Sequence, residues 1–123
     1  MPGIYERNPE NQPIQQVAVF NQGTGGDIDA GTSILATALT PKKPPSVFRI
    51  MVSLHTAAKF KAQITQGAVT KDLIFNADTN LVIDGLYIFD MLVTSDDTIN
   101  FEQDQANQVV NLLIVQEILV GGQ

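Results

Sequence analysis

Val47-Phe48-Arg49-Ile50-Met51-Val52-Ser53-Leu54 is the stretch that decides the fold. Phe48, Ile50, Val52 and Leu54 alternate with Val47, Arg49, Met51 and Ser53, a period of two. Successive side chains of an extended strand point to opposite faces, so the alternation predicts a strand with one packed face. The same reading extends toward the C-terminus. Phe60, Ala62 and Ile64 alternate with Lys59, Lys61, Gln63 and Thr65, a half-buried strand with a basic outer face. Gln66-Gly67-Ala68 turns the chain into a further strand over 69–75, and residues 76–80 make the next turn.

Two later segments are apolar on both faces. In 86–93, Tyr87, Phe89, Met91 and Val93 share one face, and Leu86, Ile88 and Leu92 share the other with Asp90. Ser95-Asp96-Asp97 is a turn, and 98–103 alternates with Ile99 and Phe101 inward. The last element, 108–120, puts Val110, Leu112, Ile114 and Ile118 on one strand face and Val109, Leu113 and Val115 on the other. An apolar run of this kind supports either a helical or a strand period, and its Val and Ile content favours the strand.

Toward the N-terminus the signals weaken. Pro41-Lys42-Lys43-Pro44-Pro45 breaks any regular element. Residues 34–40 are apolar and are expected as a strand, although a single helical turn also fits. Residues 17–20 form a short β-prone run, closed by the glycine cluster Gly23-Thr24-Gly25-Gly26, which opens no helix and so makes a poor phosphate-binding loop. Residues 1–16, with Pro2, Pro9 and Pro13, carry no apolar periodicity. They are expected as an extended arm that docks through Ile4 and Tyr5, or else as a frayed terminus, ahead of a β-sandwich domain over 17–123. Turn signals arrive every 8 to 14 residues from there on, the rhythm of an all-β sandwich or small barrel.

Length and composition set the outer bounds. A chain of 123 residues with 44% hydrophobic residues accommodates one core, and its lack of cysteine excludes disulfides and thiolate metal sites. The apolar runs fall short of the ~18 residues that span a bilayer, and no apolar signal-peptide core opens the chain. A soluble protein made in the cytoplasm, with no membrane partner, is the expectation. The net charge of −6 argues against a nucleic-acid partner, because phosphates must be met by Lys and Arg. All seven basic residues lie at or before Lys71, and every charged residue from Asp72 onward is an acid. If the two halves occupy different surfaces, the molecule is electrically two-sided; otherwise the acids form a solvated rim.

Candidate chemistry is sparse. His55 is the single histidine, two residues from Ser53, and lacks the glycines of a nucleophile elbow. Asp27-Ile28-Asp29 and Asp96-Asp97, with Asp104 near the latter, offer carboxylates without EF-hand spacing. There is no tryptophan from which to build a sugar platform. No catalytic residue, cofactor or metal is expected.

The doubly apolar strands need an explanation, because a sandwich strand ordinarily keeps one wet face. Either loops cover the outer sides or neighbouring copies do, and so short a chain has little material for loops. Leu86, Ile88, Leu92, Val109, Leu113 and Val115 are therefore expected at an interface between copies, with a trimer the simplest odd-order ring.

The order of parts carries a resemblance. A Pro/Asn/Gln arm precedes Gly23-Thr24-Gly25-Gly26-Asp27-Ile28-Asp29-Ala30-Gly31-Thr32-Ser33, then the Pro-Lys-Lys-Pro-Pro break, Val47 to Leu54, and short strands to the end. Over roughly 17–120 this layout resembles the small jelly-roll accessory proteins of tailed-phage virions: head decoration or cement proteins, adaptors and fibre parts. The resemblance implies a jelly-roll-like β-sandwich and a place in the virion. It implies a non-enzymatic structural role, with the major capsid protein or another virion protein as partner. It implies that the arm reaches across the shell protein. Tail, baseplate or fibre placement, or a carbohydrate-binding jelly roll for host recognition, is the alternative.

Overall fold

The computed structural model describes residues 14–20 (as a strand backbone), 30–106 and 109–119. Seven strands follow in order: β1 Ile14–Phe20, β2 Ser46–Leu54, β3 Phe60–Gln66, β4 Val69–Ile74, β5 Tyr87–Val93, β6 Asp97–Gln103 and β7 Val110–Leu119. They form two antiparallel sheets, β1-β7-β2-β5 and β4-β3-β6. The alternation that marked β2 is realised: Phe48, Ile50, Val52 and Leu54 are fully buried between the sheets.

Residues 34–40 do not form the regular strand expected of them. The segment from Gly31 to Leu39 nevertheless runs along β6. The amides of Gly31, Ile34 and Leu39 donate to the carbonyls of Gln103, Phe101 and Ile99 at 2.8–2.9 Å. Its ladder is interrupted because the Asn100 side chain takes both backbone groups of Leu35, accepting from its N–H (3.0 Å) and donating to its C=O (2.9 Å). With this segment as an eighth, irregular strand, the sheets read β1-β7-β2-β5 and 31–39-β6-β3-β4. That is the strand order of a jelly roll, two four-membered sheets wound by two Greek keys. The fold is a single jelly-roll-like β-sandwich.

The core joins Phe60, Ala62, Ile99 and Phe101 of the second sheet to the β2 residues and to Met91, Val93, Leu113 and Val115 of the first. An aromatic stack crosses between the sheets from Phe101 through Phe60, Phe75 and Phe89 to Tyr87, with ring centroids 4.6–5.8 Å apart. Offset stacking adds about 0.5–1.5 kcal/mol per pair beyond burial of area, so this run braces the β5 edge.

Two expectations change, and one open alternative is decided. The strand β1 begins at Ile14, so residues 14–16 belong to the sandwich and not to the arm. The remainder of the arm, with Ile4 and Tyr5, lies outside the described residues, as do Asp27 and Asp29. The electrical halves do not separate: β2 lies beside β5, and β3 lies between β4 and β6. Basic strands thus meet acidic ones in Arg49–Asp90 (2.9 Å), Lys61–Asp72 (3.6 Å) and Lys61–Glu102 (3.5 Å). Finally, the faces of β7 are the reverse of those an interface at Leu113 and Val115 requires. Both side chains are fully buried in the core, and Leu112, Ile114 and Ile118 turn outward, half-buried.

Two features accompany the inward face of β7. A β-bulge shifts the register between Ser53↔Leu112 and Leu54↔Val110, leaving Asn111 as the extra residue and turning Val110 inward beside Leu113 and Val115. Val109, just outside β7, is half-buried. The second is Glu117, which shares the inward face of Leu113 and Val115 and is fully buried. Its carboxylate accepts from the backbone N–H of Lys42 (2.9 and 3.0 Å) and of Lys43 (2.9 Å), and from the Ser46 hydroxyl (2.8 Å). The Pro-Lys-Lys-Pro-Pro break is thereby fastened over the end of β7 by a buried acid.

Candidate interaction surface

The two outer faces of the sandwich differ in kind. On β4-β3-β6 the outward residues are polar apart from Ile74, the partner of Lys61: Lys61, Gln63 and Thr65 stand beside Thr70 and Asp72 on one side and Thr98 on the other. That face is built for water. The outer face of β7-β2-β5 is apolar in two rows. One row is Ile118–Val47–Leu92 and the other Ile114–Met51–Ile88, each read across three strands in register. Leu86, just before β5, extends the patch. Leu86, Ile88 and Leu92 are 61%, 58% and 64% exposed.

Between the two apolar rows runs one polar row, Gln116–Arg49–Asp90. Arg49 grips Asp90 with a two-pronged fork, Nε to Oδ1 at 2.9 Å and Nη2 to Oδ2 at 3.1 Å. The hydrogen bonds from Arg49 hold the Asp90 carboxyl below the usual carboxylate range, and Asp90 in turn raises the guanidinium. The row is therefore neutral in itself. A partner burying it need bring no compensating charge, although the pair still has to be desolvated. An apolar face of this extent is a candidate contact surface.

The remaining polar clusters have structural duties. His55 Nδ1 lies 2.8 Å from Asp84 Oδ1, which also accepts from Asn111 Nδ2 (2.8 Å), and Asn111 Nδ2 reaches the Ser53 hydroxyl (3.2 Å). The hydrogen bonds from His55, and then Asn111, lower the Asp84 pKa. With Asp84 N–H donating to Leu54 C=O (2.8 Å), the cluster ties the 81–86 loop across the β2–β7 bulge. Ser53 is engaged by Asn111 in this tie, so the sequence neighbours His55 and Ser53 serve one loop anchor. Asp96, Asp97 and Asp104 do not assemble. Asp97 accepts from Gln66 and from the Thr94 amide (2.7 Å), and Asp104 accepts from the Lys59 amide (2.8 Å). Among the described residues no group of three or more His, Cys, Asp or Glu side chains is placed to hold a metal ion.

Of the six expected β-domain interface residues, Leu86, Ile88 and Leu92 lie on the apolar outer face, while Leu113 and Val115 have no surface to offer. Sequence reading missed Val47, Met51, Leu112, Ile114 and Ile118. The signal for Val47 and Met51 was present in β2, whose outward positions alternate with the core ones and carry Arg49 as their one charge.

No protein-family model matches the chain, and no curated protein matches it. Among solved structures, a pentameric capsid protein isolated from metagenomic phage sequences is similar at 19% identity and a TM-score of 0.38, over 90% of this chain. The chain spans 65% of the length of that structure.

Proposed function

We propose that this chain is a non-enzymatic structural protein of a phage virion, a capsid decoration or cement protein that assembles with copies of itself and with the shell protein. The apolar outer face of β7-β2-β5 carries the reading. It supplies a contact area where a solitary sandwich would keep polar residues. The jelly-roll topology and the order of parts shared with phage accessory proteins support the virion setting, and a small closed ring, a trimer in its simplest odd-order form, satisfies the face. The host-recognition alternative has less support: among the described residues, the large exposed hydrophobic side chains are all aliphatic.

The test is quantitative mass spectrometry of purified virions that carry the gene. The chain is expected at a fixed ratio to the major capsid protein, and re-addition to stripped particles should restore that ratio. Particles without the chain would contradict the virion role. An Ile88→Asp/Leu92→Asp double variant should remain folded, because both side chains are exposed, yet fail to re-bind as an oligomer.

A further inference from the structure

A second surface lies where the two sheets part. The strand β5 ends one sheet and β4 ends the other, and neither is paired along its free side among the described residues. The register Ala62↔Leu73, Ile64↔Lys71 and Gln66↔Val69 puts Leu73, Lys71 and Val69 on the face with which Ala62 enters the core. Ala62 is fully buried, yet Val69 is 56% and Leu73 41% exposed. Residues on an inward face stay wet only where the opposite layer is missing. Beneath β4 the missing layer leaves a cavity of about 310 Å³, lined by Ile64, Val69, Leu92, Lys71 and Asp97 among others.

The cavity specifies its occupant. The free edges beside it call for one extended strand, whose backbone pairs with an edge. Ile64, Val69 and Leu92 on its wall call for an apolar side chain, and Gln66, Lys71, Thr94 and Asp97 make the rest of the lining polar. Asp97 is already satisfied by Gln66 and the Thr94 amide, whereas Lys71 makes no ion pair among the described residues. The occupant should therefore carry a carboxylate on the same face as its apolar residue. Positions i and i+2 of a strand share a face about 6.6–6.8 Å apart, the spacing that also separates Val69 from Lys71.

Outside the described residues, the sequence Gly3-Ile4-Tyr5-Glu6-Arg7-Asn8 meets these demands. It is a proline-free run between Pro2 and Pro9, as long as the six residues of β4, with Ile4 and Glu6 at i and i+2. The segment 21–29 does not fit: its Ile28 is flanked by Asp27 and Asp29, which fall on the opposite face.

We propose that residues 3–8 of a second copy add to this open edge, Ile4 filling the cavity between Val69 and Leu92 and Glu6 pairing with Lys71. A second copy is chosen over the chain's own terminus because of the path. Ile14 stands in the row of Ile118, Val47 and Leu92, at the edge of the sheet opposite β5. The direct path to the cavity in its own molecule runs along that apolar row and would lay Asn8, Glu10, Asn11 and Gln12 on an apolar strip. Between two copies the same polar spacer crosses solvent. The inference rests on the self-assembly reading and assigns the arm's target to a sister subunit.

The cysteine-free chain permits a direct test in the full-length protein. An Ile4→Cys chain is mixed with a Val69→Cys chain and oxidised with copper–phenanthroline, with Gln105→Cys in place of Val69→Cys as the control. A disulfide-linked heterodimer at five or more times the control yield is expected. Adding Lys71→Glu should lower that yield about tenfold at low salt, and Glu6→Lys on the other chain should restore it. No cross-link above control, or a yield indifferent to the charge at 71, overturns the proposal. So does an intrachain disulfide in the Ile4→Cys/Val69→Cys double variant, which would place the segment in its own molecule. Native mass spectrometry of the same samples separates the two readings. An oligomer without the cross-link contradicts this inference alone, and a monomer throughout contradicts self-assembly itself.

Discussion

Glu117 brings a carboxylate into the sandwich, where the Lys42 and Lys43 amides and the Ser46 hydroxyl all donate to it. Amides turned toward a buried acid have no second partner there, so the acid decides where the 41–45 loop sits. Glu117→Gln presents an NH₂ group to donors that need an acceptor. It should cost roughly 2 kcal/mol in urea unfolding, in the range for leaving buried polar groups unpaired. Hydrogen exchange at Lys42 and Lys43 should quicken in the same variant. Asp84 makes a second prediction. Its folded pKa lies below the ordinary value because His55 and Asn111 donate to the carboxylate. The stabilisation is therefore present above the unfolded carboxylate value of about 3.9, and it is lost as pH falls through the lower folded one. Urea midpoints measured from pH 5 down to pH 2.5 should fall less steeply in Asp84→Asn than in the parent chain. An equal slope would show that the tie is not linked to acid unfolding. Neither residue announced its part in the sequence. An acid within an apolar run carries no mark of burial in the sequence, because its partners lie more than 70 residues away.

At the scale of elements, period-two alternation located β3 and β6, each with one polar side, and β2, where Arg49 and Ser53 mark the outer positions. The sides of β5 were also assigned correctly, with Tyr87, Phe89, Met91 and Val93 toward the core. β7 could not be oriented that way. Its two faces are almost equally apolar, and the bulge at Asn111 breaks the alternation on which the reading depends. The 31–39 segment was found but not its irregularity, since the Asn100 bridge to Leu35 is a long-range event. The corrected orientation has a measurable consequence. Leu113→Ala, at a fully buried site, should cost about 2–5 kcal/mol of stability, as large-to-small core changes do. Ile88→Asp and Leu92→Asp, on the exposed face, should leave the urea midpoint nearly unchanged and act on association instead. If Leu113→Ala left stability intact, the assignment of the inner face of β7 would be wrong.

For the whole molecule, the account turns on the contrast between two outer faces of one sandwich. The face of β4-β3-β6 is dressed for water, and that of β7-β2-β5 carries two apolar rows around a self-neutralised ion pair. Burying a side chain of the size of Ile or Leu contributes about 1.5–3 kcal/mol when it passes from full exposure to full burial. Covering Leu86, Ile88 and Leu92 together with the half-buried residues beside them thus contributes a favourable apolar share to association, against which the cost of ordering two chains is set. Native mass spectrometry of the purified chain at micromolar concentration, beside the Ile88→Asp/Leu92→Asp variant, tests this most directly. The account predicts a discrete homo-oligomer for the parent chain and a folded monomer for the variant. A monomeric parent chain, or an oligomer that survives both substitutions, would contradict it.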